Sequence, residues 1–142
     1  MDYTDISKEL LQTIYNFYKI RTQKQFNNAI QGEAFALQFI AQHDDAVVPS
    51  DIENAMSVSS ARVATVLGGL ENKSLITRRI DPDDRRRIIL KLTPTGEKRA
   101  AESADQLLNL IKTRLEYLGE KDAKAFVRIV GKLFDKCSKE ST

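Results

Sequence analysis

The stretch from Val47 to Gly96 constrains the fold of this chain more than any other. It predicts a short helix, a tight turn, a second helix, and then two strands joined by a charged tip. Ser59 is suited to cap the second helix, because its hydroxyl can accept a hydrogen bond from an unpaired amide of the first turn. Behind it, apolar residues recur at the spacing of one buried helical stripe: Val63, Val66, Leu67 and Leu70. This order of elements predicts a helix-turn-helix followed by a β-hairpin wing.

The outer face of the second helix carries small and polar side chains, among them Thr65, Gly68 and Asn72. Such side chains suit a helix that lies close to another surface. A helix in the major groove of DNA reads base edges with residues near its N-terminal end. Arg62 is the residue there that can contact a guanine bidentately. The predicted base-contacting set is Ser59, Ser60, Ala61, Arg62 and Thr65.

The wing is predicted from the segments ITRRI and RIILKL, which read as two strands. Their alternation places Ile88, Leu90 and Leu92 on one face. The tip between them begins with Asp-Pro-Asp-Asp at residues 81–84, which is strong turn chemistry. We expect the carboxylate of Asp84 to hold Arg86 and so to shape the wing rather than to touch DNA.

Basic charge is concentrated around this wing. Seven Lys or Arg and three Asp lie between Lys73 and Lys91, an excess of four positive charges, although the whole chain carries only +2. A charge run is often only a solvated turn. Here it adjoins a predicted recognition helix, and this position favours contact with nucleic-acid phosphates.

Four segments follow one another in a distinctive order: SDI, SVSSARVATVLGGLENKSLITR, DPDDRRR and LTPTG. In this order they resemble the multiple-antibiotic-resistance regulator (MarR) family of winged-helix transcription factors. Asp84 and Arg86 fall on the family's Asp-x-Arg wing tip, and residues 92–96 on the LTxxG segment that opens the next helix. Ser74 departs from the pattern, because the family usually has a helix-ending glycine at that position.

The resemblance implies a homodimer built from both chain ends and a cleft for a small aromatic effector. The predicted DNA-binding set is completed by four residues around the wing: Arg78, Asp84, Arg85 and Arg86. The candidate effector-binding residues are aromatic side chains on the helices that border the cleft in the family: Tyr15, Tyr18, Phe35 and Phe39. Because aromatic residues on amphipathic stripes are usually core, these four have that second interpretation.

Both ends of the chain are predicted to be helical. The helices run from about Asp5 to Phe26, from about Glu33 to Gln42, from Thr95 to Leu118 and from about Lys121 to Lys136. The third of them, capped by Thr93, is too long for a winged-helix core to cover its apolar stripe. A second copy of the chain is the economical cover, and a two-fold dimer would present two recognition helices to a palindromic site.

Shorter segments are assigned by their spacing. Val47-Val48 is predicted to pair with the wing as a short strand, and Asp44-Asp45 to end the second helix. Pro49 suits the first position of the short helix, where its missing N–H has no intrahelical partner to lose. The residues expected to face inward are Phe35, Phe39 and Ile40 on the second helix, and Ile52, Ala55 and Met56 on the short one.

Composition limits the other classes of function. The hydrophobic fraction of 42% is enough for a core, and a single cysteine cannot form an internal disulfide, which fits a reducing cytosol. The N-terminal segment MDYTDISKEL lacks the apolar core of a signal peptide. No apolar run approaches the ~20 residues that span a bilayer. The sequence therefore predicts a soluble, cytoplasmic protein.

Few residues suggest catalysis or metal binding. His43 is the only histidine, too few for a histidine-based metal sensor. Cys137 lies at helical spacing from Leu133 and Phe134, so a small buried core residue is favoured over a redox switch. Asp83-Asp84 resembles a general acid/base pair, but no nucleophile, metal ligand or oxyanion site accompanies it. We expect no enzymatic activity, no cofactor and no metal.

The sequence predicts one mainly α (α+β) domain at 1–142, with a winged helix-turn-helix DNA-binding region at 31–96. Residues 1–30 and 97–142 form the predicted helical dimerisation region. The predicted function is that of a sequence-specific transcriptional regulator, a homodimer on double-stranded DNA at a pseudo-palindromic promoter operator. Repression relieved by a small effector is what the resemblance implies. The alternative is a winged-helix protein-interaction module, which a large apolar patch on the outer face of residues 59–72 would favour.

Overall fold

The computed structural model describes residues 2–19, 32–43 and 46–140. Its elements are α1 (Thr4–Tyr18), α2 (Glu33–Gln42), α3 (Pro49–Met56), α4 (Ser60–Asn72), β1 (Ile76–Ile80), β2 (Ile88–Leu92), α5 (Pro94–Leu118) and α6 (Glu120–Glu140). The chain divides into two compact units, Met1–Ala104 and Asp105–Thr142. A mainly helical chain with one antiparallel hairpin confirms the predicted fold class.

The first unit is built around a core shared by α2, α3, α4 and the hairpin. The predicted stripe of α4 is fully buried, from Val63 to Leu70. On α2 the most buried residues are Ala36 and Leu37, which the spacing did not single out. This places Phe35 and Phe39 at the edge of the buried face, where they are half-buried and pack against the core.

Helix α3 and the hairpin supply the rest of this core. Ile52 and Met56 are buried as predicted, whereas the prediction for Ala55 was wrong, because that residue is exposed. Both faces of β2 contribute, since Ile89 is buried beside Leu90. Ile88 shares a face with Leu90 but is 40% exposed, because the hairpin extends beyond the core.

The hairpin is antiparallel, with Ile76 opposite Leu92 and Ile80 opposite Ile88. Val47 forms an isolated antiparallel bridge to Leu90, and the Leu90 amide donates to the Val47 carbonyl oxygen at 2.8 Å. The predicted pairing of this segment with the wing is thus confirmed. It fastens the wing to the segment that leads into α3.

The helix α5 begins in the LTxxG segment. The Thr93 hydroxyl accepts a hydrogen bond from the Gly96 amide at 3.0 Å and donates to the Ser74 carbonyl oxygen at 2.7 Å. Gly96 packs directly on the strand entry, because a Cβ there would collide with the Leu75 carbonyl group. A small residue is therefore required, since the obstacle is backbone rather than a movable side chain.

The outer helices follow their predicted bounds closely. Helix α5 ends at Leu118 before Gly119, which has φ +80°, and α6 continues to Glu140, beyond the predicted end at Lys136. The predicted continuation of the first helix to Phe26 and the Asp44-Asp45 helix end lie outside the described residues. None of the helices in the described ranges is long and apolar enough to cross a membrane.

Candidate nucleic-acid interface

A tight turn sets the start of α4. Ser57 adopts the left-handed conformation at φ 53°, which ends α3, and Ser59 returns to extended backbone. The Ser59 hydroxyl then accepts a hydrogen bond from the Arg62 amide at 3.2 Å, so the predicted N-cap is confirmed. Because this hydroxyl caps the helix, the main role of Ser59 is to fix where α4 begins.

The N-terminal outer face of α4 is exposed. It consists of Ser60, Ala61, Arg62 and Thr65, all predicted base contacts. The Thr65 hydroxyl donates to the Ala61 carbonyl oxygen at 3.1 Å and keeps its lone pairs free to accept. Along the same face, a Cβ on Gly68 would meet no atom within 4 Å. This part of the helix is thus open to an external surface.

Gly69 has a different environment from its neighbour. A Cβ there would collide with the carboxylate of Glu33, which comes from the first turn of α2. Glu33 also forms an ion pair with Lys73, the C-cap of α4. The space beside Gly69 is therefore occupied by the end of a flexible side chain, which can shift, rather than by backbone.

Asp81 and Arg87 close the tip of the wing. Neither residue was among the predicted DNA-binding residues. The Asp81 amide donates to the Arg87 carbonyl oxygen at 2.9 Å, and its carboxylate lies 3.7 Å from Nη1 of Arg87. Asp81 is only 7% exposed, and the same carboxylate accepts from the Asp83 amide at 2.9 Å. The Asp-Pro-Asp sequence was the available signal, because aspartate side chains favour such contacts two residues on.

Asp84 also shapes the tip, but through backbone. Its carboxylate accepts from the Arg86 amide at 3.0 Å, and its carbonyl oxygen accepts from the Arg87 amide at 2.9 Å. The expectation that Asp84 would hold the Arg86 side chain is corrected here, since the contact is with the main chain. The Arg86 guanidinium is consequently left available.

The predicted cationic residues fall into two groups. Arg78 is engaged, because its Nε lies 3.2 Å from a carboxylate oxygen of Glu71 on α4. Within the described ranges, Arg62, Arg85 and Arg86 have no carboxylate within ion-pairing distance. The helix and the wing tip therefore both present unneutralised guanidinium groups.

The candidate effector residues are only partly brought together. Phe35 and Phe39 stack along α2 with ring centroids 6.3 Å apart, and Phe39 stacks on His43 at 4.1 Å. His43 Nδ1 also donates to the Phe39 carbonyl oxygen at 2.7 Å. Tyr15 lies on α1 with 55% of its surface exposed, and the side chain of Tyr18 is outside the described residues.

Metal and thiol chemistry receive no support from the geometry. Within residues 2–19, 32–43 and 46–140, no three His, Cys, Asp or Glu residues are grouped to hold a metal ion. Cys137 is exposed in the single chain, so the expectation of a buried core residue was wrong. Its spacing from Leu133 correctly indicated the face, but that face is itself exposed in one chain.

Comparison with known proteins shows that the chain is similar to one family of regulators. A model of the MarR family matches residues 30–87. Over 134 residues the chain is 25% identical to the HTH-type transcriptional repressor YetL of Bacillus subtilis, a match that covers 94% of this chain and 77% of YetL. It is 25% identical over 91 residues to the HTH-type transcriptional regulator YdgJ of the same organism, which covers 64% of this chain and 56% of YdgJ.

Solved structures share the fold. Streptococcus pneumoniae FabT in complex with DNA matches with a TM-score of 0.69 at 21% identity, covering 97% of this chain and 99% of that chain. Bordetella bronchiseptica BpsR, solved to explain regulation of its DNA binding by 6-hydroxynicotinic acid, matches with a TM-score of 0.66 at 21% identity, covering 95% and 97%. The family model matches the winged-helix region of this chain, and these solved structures share its architecture, so the chain is similar to MarR family transcriptional regulators.

Proposed function

We propose that this protein is a sequence-specific transcriptional regulator that binds a pseudo-palindromic promoter operator as a homodimer. The observation that carries the proposal is the exposed N-terminal face of α4 beside a wing tip whose arginines have no carboxylate partner. Both surfaces belong to one compact unit. A helix for base edges and a cationic hairpin for the backbone are the two parts that winged-helix recognition requires.

The two surfaces have separate tasks in this proposal. Arg62 projects from the first turn of α4, where it can donate two hydrogen bonds to a guanine in the major groove. Arg85 and Arg86 lie at the wing tip, where they contact phosphates or the minor groove. Phosphate contacts supply affinity without sequence information, whereas base contacts supply discrimination.

The rival function, a docking module for another protein, is disfavoured by the outer face of α4. Between Ser59 and Asn72, all of which the structure describes, the apolar side chains of Val63, Val66, Leu67 and Leu70 are buried. The exposed positions carry small, polar or charged groups, and none carries a large apolar side chain. A protein-docking surface of comparable size would be expected to expose aromatic or large aliphatic anchors.

The homodimer is supported by apolar faces that one chain leaves exposed. Leu108 and Ile111 on α5 are 64% and 40% exposed, and Phe134 on α6 is 65% exposed. Helix α1 presents a similar face with Ile6 and Leu10. Exposed apolar side chains at regular spacing along a helix are characteristic of interfaces between subunits. A second copy covers these faces and supplies the second recognition helix.

The proposal also includes control of DNA binding by a small molecule. Phe35 and Phe39 form a stacked pair at the edge of the core, suited to hold a planar aromatic ring. BpsR, a protein of the same fold, has its DNA binding regulated by a planar aromatic acid. We extend this to a small aromatic effector that relieves repression by changing the separation of the two recognition helices.

The proposal includes the absence of catalytic activity and of a resident cofactor. Of the Asp83-Asp84 pair, the Asp84 carboxylate already accepts a hydrogen bond from the Arg86 amide and so serves the shape of the wing. A regulator of promoters acts where the chromosome lies, so the proposed location is the cytoplasm. Repression of transcription follows from occupation of the promoter.

The decisive experiment is selection of bound fragments from the host genome with the purified full-length protein. The expected sites have two similar half-sites in inverted orientation, one or more helical turns apart. Two variants then test the division of tasks on the selected operator and on random duplex. Arg62→Ala should lose roughly 1–3 kcal/mol on the operator and little on random DNA. Arg85→Ala should weaken both equally and lower the salt slope by about 1 per subunit.

Two results would contradict this proposal. Selection that recovers no enriched sequence would remove the specific-regulator function. Loss of sequence preference in Arg85→Ala, with equal weakening of both DNAs in Arg62→Ala, would show that the wing rather than α4 reads the bases.

A further inference from the structure

Glu71 is an unexpected residue at its position in α4. It lies in the last turn of the recognition helix, where the partial negative charge of the helix end disfavours a carboxylate. It is also a negative charge on the element that we propose to bring against DNA, where phosphates repel it. Both effects are unfavourable, so the contact that Glu71 makes is informative.

That contact is the ion pair with Arg78. The Arg78 Nε lies 3.2 Å from a Glu71 carboxylate oxygen. Arg78 is the third residue of β1 and stands opposite Leu90, so alternation puts it on the face of the hairpin that packs on the core. The pair therefore joins the end of the recognition helix to the base of the wing.

The Glu71–Arg78 ion pair is partly exposed to solvent and can therefore break. The side chains of Arg78 and Glu71 remain 31% and 46% exposed. Ion pairs with this exposure are weak, because solvent competes for both partners. A phosphate that reaches Arg78 can thus replace Glu71, since both partners offer the guanidinium an anionic oxygen.

We propose that Glu71 is a specificity-determining residue that withholds Arg78 from phosphates and so lowers affinity for non-operator DNA. Arg78 exchanges Glu71 for phosphate where the operator seats the recognition helix and wing together. Random DNA holds the two elements less firmly, so there Glu71 outcompetes the phosphate and Arg78 stays neutralised. This inference rests on the proposed DNA-binding function, and it adds that Glu71 limits the binding of Arg78 to phosphates.

A purely structural role for the pair makes the opposite prediction. If Glu71 only ties the hairpin to α4, its loss loosens the wing and weakens binding to all DNA. If Glu71 restrains Arg78, its loss adds one phosphate contact per subunit. The two roles therefore differ in the sign of the affinity change and in the salt dependence.

The test uses the full-length protein and Glu71→Gln, which keeps the size of the side chain and removes its charge. Binding to a random duplex and to the selected operator is titrated at several salt concentrations. On random DNA the variant should bind roughly fivefold tighter per subunit at about 0.15 M salt, with a salt slope steeper by about 1 per subunit. The operator-to-random ratio should fall. Thermal unfolding of each variant confirms that the fold is retained.

Two further variants identify the source of any gain. Arg78→Ala should weaken binding to the operator in the parent protein and should abolish the gain on random DNA in the Glu71→Gln background. Glu102→Gln is the charge-matched control, because Glu102 pairs with Arg99 on α5 and its loss raises the net charge equally. It should leave the salt slope unchanged.

Three outcomes overturn the inference. These are an unchanged slope in Glu71→Gln, weaker binding of that variant to both DNAs, or an equal gain in Glu102→Gln, which would reduce the effect to net charge. Failure of the parent protein to bind any DNA is a different result, because it refutes the proposed function instead.

Discussion

The apolar stripe of α4 is covered by α2, α3 and the hairpin, whereas those of α1, α5 and α6 have many exposed side chains in the part of the chain that the structure describes. In α4, Val63 and Leu67 are 1% exposed. In α5 and α6, residues at equally regular spacing, such as Leu108 and Phe134, are about two-thirds exposed. Periodicity thus identifies the apolar face of a helix without identifying what covers it.

The difference follows from length and connection. The elements of the winged helix are short and joined by tight turns, such as that at Ser57, so each face finds a neighbour within the same unit. Helices α5 and α6 have 25 and 21 residues, far longer than α3 with 8. Long helices of this kind bury their stripes against another long helix, which is what a second copy supplies.

The largest effect is expected from Ile111→Asp, which tests the exposed region. In the proposed dimer this places an unpaired carboxylate in each half of an apolar interface, at a cost of several kcal/mol. The dimer should dissociate, while the core of the winged helix, to which Ile111 does not belong, keeps its own packing. Sedimentation at micromolar concentration measures the change in mass.

Asn109→Asp is the control for this experiment, because it adds the same charge on the same helix at an exposed polar position. It should leave the mass unchanged. A parent protein that is itself a monomer at micromolar concentration would contradict the proposed dimer, because the exposed apolar stripes would then not be covered by a second copy.

A smaller effect is expected from Gly96→Ala, which tests the covered region. The added methyl collides with the Leu75 carbonyl group, and backbone must move to admit it. Overpacking of this kind costs about 1–3 kcal/mol, so chemical denaturation should show a lower midpoint. The loss should not depend on protein concentration, in contrast to that from Ile111→Asp, because the contact lies within one chain.

Gly131→Ala on α6 is a suitable control for the glycine change, since a Cβ there meets nothing within 4 Å of the single chain. Stability equal to that of the parent in Gly96→Ala would contradict the close approach. The LTxxG segment would then need another explanation for its final glycine.

The sequence was sufficient for features governed by local rules. The caps at Ser59 and Thr93, the bounds of α2 and the strand at Val47 all follow from residue type and spacing over a few positions. Ser74 stands where the family usually has a glycine, and it adopts the left-handed conformation at φ 57°, a region that favours glycine. The turn therefore follows from its surroundings and is retained despite a side chain that disfavours it.

The features that escaped prediction depend on tertiary neighbours. The Glu71–Arg78 pair joins two elements through long, flexible side chains whose meeting no periodicity encodes. The exposure of Ala55 and Cys137 is another such feature, because helical spacing alone does not show whether another element packs on a position. For the candidate site, the sequence identified the guanidinium groups, and only the structure separated the engaged Arg78 from the open Arg62.

The smallest change in stability is expected from Gly68→Ala and from Ser74→Gly. The two substitutions should nevertheless differ clearly in their effect on operator binding. Gly68 lies inside a helix and costs about 1 kcal/mol relative to alanine, while an added Cβ would meet nothing within 4 Å. Ser74 lies in the left-handed region, which costs a similar amount for a residue with a side chain. Each substitution should therefore raise the free energy of unfolding by about 0.5–1 kcal/mol.

Their effects on DNA binding should differ, although both stabilise the winged helix. The methyl of Gly68→Ala projects from the open face of α4, into space that we assign to DNA, so operator affinity should fall while stability rises. The Ser74 amide donates to the Glu71 carbonyl oxygen and the Ser74 carbonyl oxygen accepts from the Thr93 hydroxyl; Ser74→Gly keeps both backbone groups, so operator affinity should be retained. Denaturation and operator titration of both variants measure the two quantities together. Tight operator binding by Gly68→Ala would mean that DNA does not approach α4 at this point. Neither packing within the chain nor contact with DNA would then explain the glycine.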